Sequence, residues 1–237
     1  DVFLKLEDIE KYTVWVQKVV WSPDDTFIAV LVDAFLYVYD MTMRGLEIAC
    51  FKPHNFFVTN MIWSHRTNPY NEVIMTCCKD STIKLWRLAD IKNQKYNRAT
   101  EAIPYAALGK PQNPDNPLRI DRKVEGHVGS VTAITLNPSE SEVLSGGVDY
   151  TIITWNIDSR RMLAEYRGHN GVVLCVAYTQ DGEYFASCGA DKRILLWRPG
   201  VPAAVKWLDG HSSVVECVAF TSQRICVCSA ISGGHQY

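Results

Sequence analysis

The 237-residue sequence has no large excess of charge of either sign: 24 Lys and Arg stand against 26 Asp and Glu, a net charge of -2. Without a basic excess there is no electrostatic basis for broad nucleic-acid binding, and none is expected. No run of about 18 apolar residues occurs, so no membrane-spanning helix is expected. Asp1 to Glu10 lack both a basic start and a small-residue cleavage site, so they do not read as a secretory signal. None of the eight cysteines (Cys50, Cys77, Cys78, Cys175, Cys188, Cys217, Cys226 and Cys228) forms a CxxC pair, which removes the common spacing signature of a zinc or thioredoxin-like centre. An even count leaves a disulfide framework open, but a chain this long does not need one. Most of these thiols lie in apolar β-patterned runs, as in Val172 to Val176, and read as small buried hydrophobes. These absences describe an intracellular piece of something longer, with no metal site and no cofactor. It is expected in the cytoplasm, with nucleus and cytoskeleton or cilium as the other compartments.

Apolar residues make up 47% and aromatics 11%, which supports a sizeable core and argues against disorder. They come in a repeat. Gly-His dipeptides at Gly126-His127, Gly168-His169 and Gly210-His211 are spaced 42 residues apart. From His127, Ser145, Asp149 and Trp155 follow at offsets 18, 22 and 28, and from His169 the same offsets reach Ser187, Asp191 and Trp197. Upstream, His54, Thr76, Asp80 and Trp86 keep the last two steps but lengthen the first, and Pro53 replaces the glycine. The first unit is the most degenerate: it puts Tyr12, Ala29, Asp33 and Tyr39 in the four slots. After His211 the Ser slot holds Ser229, but Gly233 replaces the Asp. Between the markers, Val131 to Leu136, Val143 to Ser145, Thr151 to Trp155 and Met162 to Arg167 read as strands, as do Val173 to Tyr178 and Val215 to Phe220.

Four strands per unit of about 42 residues, marked by Gly-His and a Trp near the end of the third strand, resemble the WD40 family of β-propellers. The resemblance implies an all-β fold of four-stranded antiparallel blades. The chain would then be one incomplete propeller domain over residues 1–237, about four and a half blades of a ring that usually has seven. The units fall at about 12–52, 53–125, 126–167, 168–209 and 210–237, and the strand-like Val2 to Leu6 would end a preceding blade. Seven such repeats need about 294 residues, so the missing blades are expected from the rest of the polypeptide or from another chain. The resemblance further implies that each His, Ser or Thr, Asp and Trp form one hydrogen-bonded chain inside a blade. The Trp indole can only donate, while a hydroxyl and a neutral imidazole both donate and accept.

A Ser, a His and an Asp together also invite a hydrolase reading. The set recurs from unit to unit instead of occurring once, its Ser lies mid-strand, and its fourth member is a Trp, so catalysis by these residues is not expected. Function is sought instead where the units differ. Residues 89–117 are an insertion rich in Pro and polar residues, expected to be irregular, whose apolar stretch Ala102 to Leu108 (with Tyr105 and Leu108) is a candidate docking segment. Phe56-Phe57 stand where the sibling units carry Gly129-Ser130, Gly171-Val172 and Ser213-Val214. The family resemblance places these loops on a rim where proteins dock, with Phe56 exposed and Phe57 either exposed or plugging the core. Lys79, Ser81, Tyr150, Lys192 and Arg193, on the turns between second and third strands, join the same candidate surface. The expected function is a non-catalytic scaffold that binds several protein subunits of one assembly. The alternative is a peptide or degron reader such as a ubiquitin-ligase substrate receptor, although no Trp-Asp-x-Arg follows any third strand.

Overall fold

Short β-branched and aromatic runs, separated by turns of Asp, Asn, Gly and Pro, favour antiparallel hairpins over helices. The computed structural model describes residues 15–64, 72–92, 101–103, 126–221 and 228–231, with backbone only for 101–103 and 228–231. The chain divides into two compact units, residues 1–102 and 103–237.

In the first unit, β1 (Val16–Trp21), β2 (Phe27–Val32), β3 (Phe35–Asp40) and β4 (Leu46–Phe51) form one sheet in chain order. A second sheet follows from β5 (Val58–Trp63), β6 (Val73–Cys78), β7 (Ile83–Arg87) and, after a five-residue helix α1 (Leu88–Lys92), β8 (Glu101–Ile103). In the second unit, β9 (Val131–Leu136), β10 (Glu142–Gly147), β11 (Thr151–Asn156) and β12 (Met162–Arg167) make a sheet in chain order. So do β13 (Val173–Tyr178), β14 (Phe185–Gly189), β15 (Ile194–Trp197) and β16 (Lys206–Leu208), while β17 (Val215–Ala219) pairs with β18 (Cys228–Ile231). The architecture is all-β: four antiparallel sheets of four strands and one of two, with a single short helix among the described residues.

In the first sheet the second strand buries alternate residues, the period-two pattern of side-chain alternation. In β2 the buried set is Phe27, Ala29 and Leu31; in β14 burial is continuous, because both faces are covered. The core of the first unit runs from Phe27 through Leu36, Phe51 and Trp63 to Trp86. In the second unit Tyr166, Phe185 and Trp197 form an aromatic knot with ring centroids 4.9 to 6.0 Å apart. Within that unit the first strands of successive sheets are tied directly, since the Thr132 hydroxyl donates to the Val173 carbonyl and Cys175 Sγ lies 3.6 Å from the Val218 carbonyl.

Two expectations change here. The stretch from residue 89, expected to be irregular, begins as helix α1. Leu88 and Ile91, three apart, share one face and are buried, and Lys92 Nζ sits 4.1 Å over the Phe27 ring. Ala102 and Ile103, read as the start of a docking segment, belong to β8 and complete the second sheet. Tyr105, Leu108 and the rest of the 89–117 insertion lie outside the described residues, as do Val2 to Leu6, Tyr12 and Gly233.

Candidate functional site

The polar constellations come together in three sheets. His54 Nε2 lies 2.9 Å from Thr76 Oγ1, Trp86 Nε1 donates to that oxygen at 3.0 Å, and His54 Nδ1 lies 3.1 Å from Asp80 Oδ2. For His127, Ser145, Trp155 and Asp149 the corresponding distances are 2.8, 2.8 and 3.1 Å. For His169, Ser187, Trp197 and Asp191 they are 2.7, 2.7 and 2.8 Å. Strand register produces this repetition. Thr76, Ser145 and Ser187 stand opposite Met61, Ile134 and Val176, the fourth residue of each first strand. The backbone of Ser229 holds the same position, opposite Val218 of β17.

Two of the carboxylates also fix the loop that carries their histidine. Asp149 accepts the Val128 N–H at 2.7 Å and Asp191 accepts the Asn170 N–H at 3.0 Å. The other oxygen caps its own turn: Asp80 accepts from the Thr82 backbone and hydroxyl, and Asp149 likewise from Thr151. Burial pushes the Asp80 and Asp149 carboxyls up, but hydrogen bonds and charge from the paired histidines, with the turn donors, outweigh it. Both end below the ordinary carboxylate value, Asp149 at about 2. The His169 imidazole is lowered, because burial outweighs the attraction of Asp191. Thr76, Ser145 and Ser187 are 0% exposed, so their hydroxyls face protein on every side. The arrangement satisfies buried polar atoms; it does not present a nucleophile.

The first sheet has no such chain. Ala29 is buried in the hydroxyl slot, Tyr39 stacks on Tyr37 at 6.3 Å, and Tyr12 lies outside the described residues. Asp33, placed by sequence in the carboxylate slot, instead occupies a two-residue turn at φ 52, with Val32 paired to Phe35. A shorter turn keeps its carboxylate from the role that Asp80, Asp149 and Asp191 perform.

Among the candidate surface residues, Phe56 and Phe57 are 60% and 56% exposed, so Phe57 is not a core plug. Lys79 Nζ lies 5.4 Å over the Phe57 ring, and the Lys79 N–H donates to the Phe57 carbonyl at 3.1 Å. Gly129, the counterpart of Phe56, adopts φ 122, where a Cβ would stand 2.6 Å from Val148; Phe56 has no such φ and takes a different path outward. Ser81, expected at the surface, is a correction: it is only 5% exposed. Ser81, Tyr150 and Lys192 share one turn position at φ 65 to 66, but only the longer Tyr150 and Lys192 side chains clear the turn. Arg193 is exposed and pairs with Asp209 at 3.1 Å. An apolar strand face not anticipated from the sequence is β1 with its preceding residue: Trp15 is 73% exposed, and Val16, Val19 and Trp21 are also exposed. The signal was there in the close spacing of large apolar residues on what is a first strand.

A second feature missed by sequence reading is Cys78. Its thiol stands beside His54 and Asp80, with ligand atoms of all three within 4.8 Å of one another. Spacing rules that look for CxxC pairs pass over it, because its partners are 24 residues upstream and two downstream. No helix among the described residues is long and apolar enough to cross a membrane.

The profile of the family described as "WD domain, G-beta repeat" matches residues 45–87, 119–156 and 160–198. Among curated proteins, the "Ribosome biogenesis protein WDR12 homolog" of Trichoplax adhaerens is 26% identical over 147 residues. The match covers 62% of this chain and 28% of that protein, so the chain spans under a third of that relative's length.

Proposed function

The chain belongs to the WD40-repeat family, and we propose that it is a non-catalytic interaction scaffold, one subunit of a multiprotein assembly. One observation carries this reading. The His, Ser or Thr, Asp and Trp constellation is spent inside three sheets, with hydroxyls at 0% exposure, while large aromatics stand on the loop entering one of them. Phe56, Phe57 and Lys79 form the centre of the proposed docking site. Within the second unit, Tyr150, Lys192 and Arg193 are separate candidate contacts on the equivalent turns of its own sheets. The apolar strand face of Trp15, Val16, Val19 and Trp21 is covered in the assembled protein by further repeats of the same polypeptide or of another chain.

The named role of the Trichoplax relative, ribosome biogenesis, supplies one assembly against which this scaffold is to be tested. The cytoplasmic placement expected from the sequence gains no support from that relative. The test is affinity purification of the tagged full-length protein beside a Phe56→Ser, Phe57→Ser variant. Two exposed side chains leave the fold intact, so the melting temperature stays within about 2 °C. At least one partner falls by tenfold or more. An unchanged partner set would remove these residues from the binding surface.

A further inference from the structure

The constellations of the second and third sheets share an imidazole–carboxylate pair but differ in what lies beside it. In the third sheet Gly147, opposite Val131, closes β10. A Cβ there would stand 2.6 Å from His127 Nδ1 and 2.7 Å from Asp149 Oδ1, so the pair is sealed by the lack of a side chain. The fourth sheet has Gly189 in the same register, opposite Val173. The second sheet, β5–β8, has Cys78 there, opposite Val58. Its buried sulfur is placed where the siblings leave no room, and the donor atoms of His54, Cys78 and Asp80 fall within 4.8 Å of one another.

We propose that His54 Nδ1, Cys78 Sγ and Asp80 Oδ2 form a site for a divalent cation of borderline softness, zinc foremost. A nitrogen, a thiolate and a carboxylate make a donor set that zinc accepts in tetrahedral geometry, and that magnesium or calcium does not favour. The surroundings already orient each ligand. With the proton on Nε2, His54 donates to Thr76 Oγ1 at 2.9 Å, which fixes the ring and turns the Nδ1 lone pair toward the site. Thr76 Oγ1 accepts this bond together with that from Trp86, as its two lone pairs allow. Asp80 Oδ1 is held by the Thr82 N–H at 3.0 Å and hydroxyl at 2.5 Å, which leaves Oδ2 facing Nδ1 at 3.1 Å. The Asp80 N–H lies 3.4 Å from the sulfur. Tetrahedral zinc needs donors roughly 3.3–3.7 Å apart, so the sulfur closes by about 1 Å at most while Nδ1 and Oδ2, at 3.1 Å, part slightly. Binding releases the Cys78 thiol proton to solvent, and a water takes the fourth position. The sibling sites offer two donors and bind no ion.

The test titrates the full chain with Co2+ as a spectroscopic stand-in, then displaces it with Zn2+. One Co2+ per chain with a thiolate-to-metal band, abolished in Cys78→Gly, supports the site, since glycine is the sibling residue at that position. Asp80→Asn keeps the thiol and weakens affinity by at least about tenfold. On the wild-type chain, pulsed alkylation read by mass spectrometry gives an answer that depends on no variant folding: Zn2+ slows labelling of Cys78 and leaves Cys175 unchanged. No band in the wild type, a band that survives in Cys78→Gly, or equal labelling of Cys78 with and without Zn2+ would overturn the proposal.

Discussion

The sheet of β1–β4 and the sheet of β13–β16 have the same number of strands in the same order, yet only the second contains a buried polar chain. The first is held by Phe27, Ala29, Leu31, Leu36 and Val38, all apolar and buried, and it turns between β2 and β3 in two residues. The second uses a longer turn whose Asp191 is bonded to His169 and to the Asn170 backbone. Four strands can therefore form without the polar chain. What the chain adds is a fixed position for the loop entering the sheet and for the turn across it, the two segments where a scaffold presents its contacts.

The comparison is broken most severely at the third strand. Trp197 is fully buried against Phe185 and Tyr166 and donates to Ser187, whereas Tyr39, in the equivalent slot, is half-buried. Trp197→Ala is expected to cost about 3–5 kcal/mol in urea unfolding, and Tyr39→Ala about 1–2 kcal/mol. Equal losses would mean that the two sheets rest on the same kind of support.

Acid sharpens the difference at an intermediate size. The folded-state pKa of Asp149 is depressed from 3.8 to about 2. Its contribution is therefore present above pH 3.8 and is lost as pH falls through about 2, worth about 2 kcal/mol. His169 is also depressed, from 6.5, so the unfolded chain takes up the proton first and stability already declines as pH falls below 6.5. Stability measured from pH 7 to pH 2 falls in both ranges, and Asp149→Asn lessens the fall in the lower one, which Asp80 shares. A wild-type curve that is flat below pH 4 would contradict the assignment.

Smallest is the effect at Asp33, which shares a sequence slot with Asp191 but sits at φ 52 in a two-residue turn. Asp33→Gly leaves stability unchanged or raises it by under about 1 kcal/mol, because glycine adopts that backbone without strain. A loss above about 1 kcal/mol would show that the Asp33 carboxylate carries a load resembling that of Asp191.

Much of this fold was legible because the 42-residue spacing ties strand register to side-chain chemistry. A serine 18 residues after His127 and another 18 after His169 fall opposite the fourth residue of the first strand, and their burial follows. Turns were less legible. Asp33 and Asp191 align by spacing, but a difference of two turn residues changes which way the carboxylate is carried. Ser81 and Lys192 hold the same backbone conformation, and side-chain length alone decides which of them reaches solvent. Helix α1 was hidden by prolines that all lie downstream of it, so composition averaged over the insertion obscured a local Leu88–Ile91 face. Cys78 was read as an apolar filler, since its neighbours His54 and Asp80 are brought to it by the pairing of strands rather than by sequence proximity. The exposure of Phe56 and Phe57 depended on loop path, which pattern alone left undecided between solvent and core.

The central claim, that the repeated polar chains tie together the three sheets that contain them and take no part in catalysis or docking, is tested most directly at Asp191. Urea unfolding of the full chain carrying Asp191→Ala is predicted to show a loss of about 1–3 kcal/mol, since the buried His169 and the Asn170 N–H lose a shared acceptor. Its protein partners remain bound at temperatures where the variant is folded. Wild-type stability in that variant, or loss of a partner without loss of stability, would contradict the account.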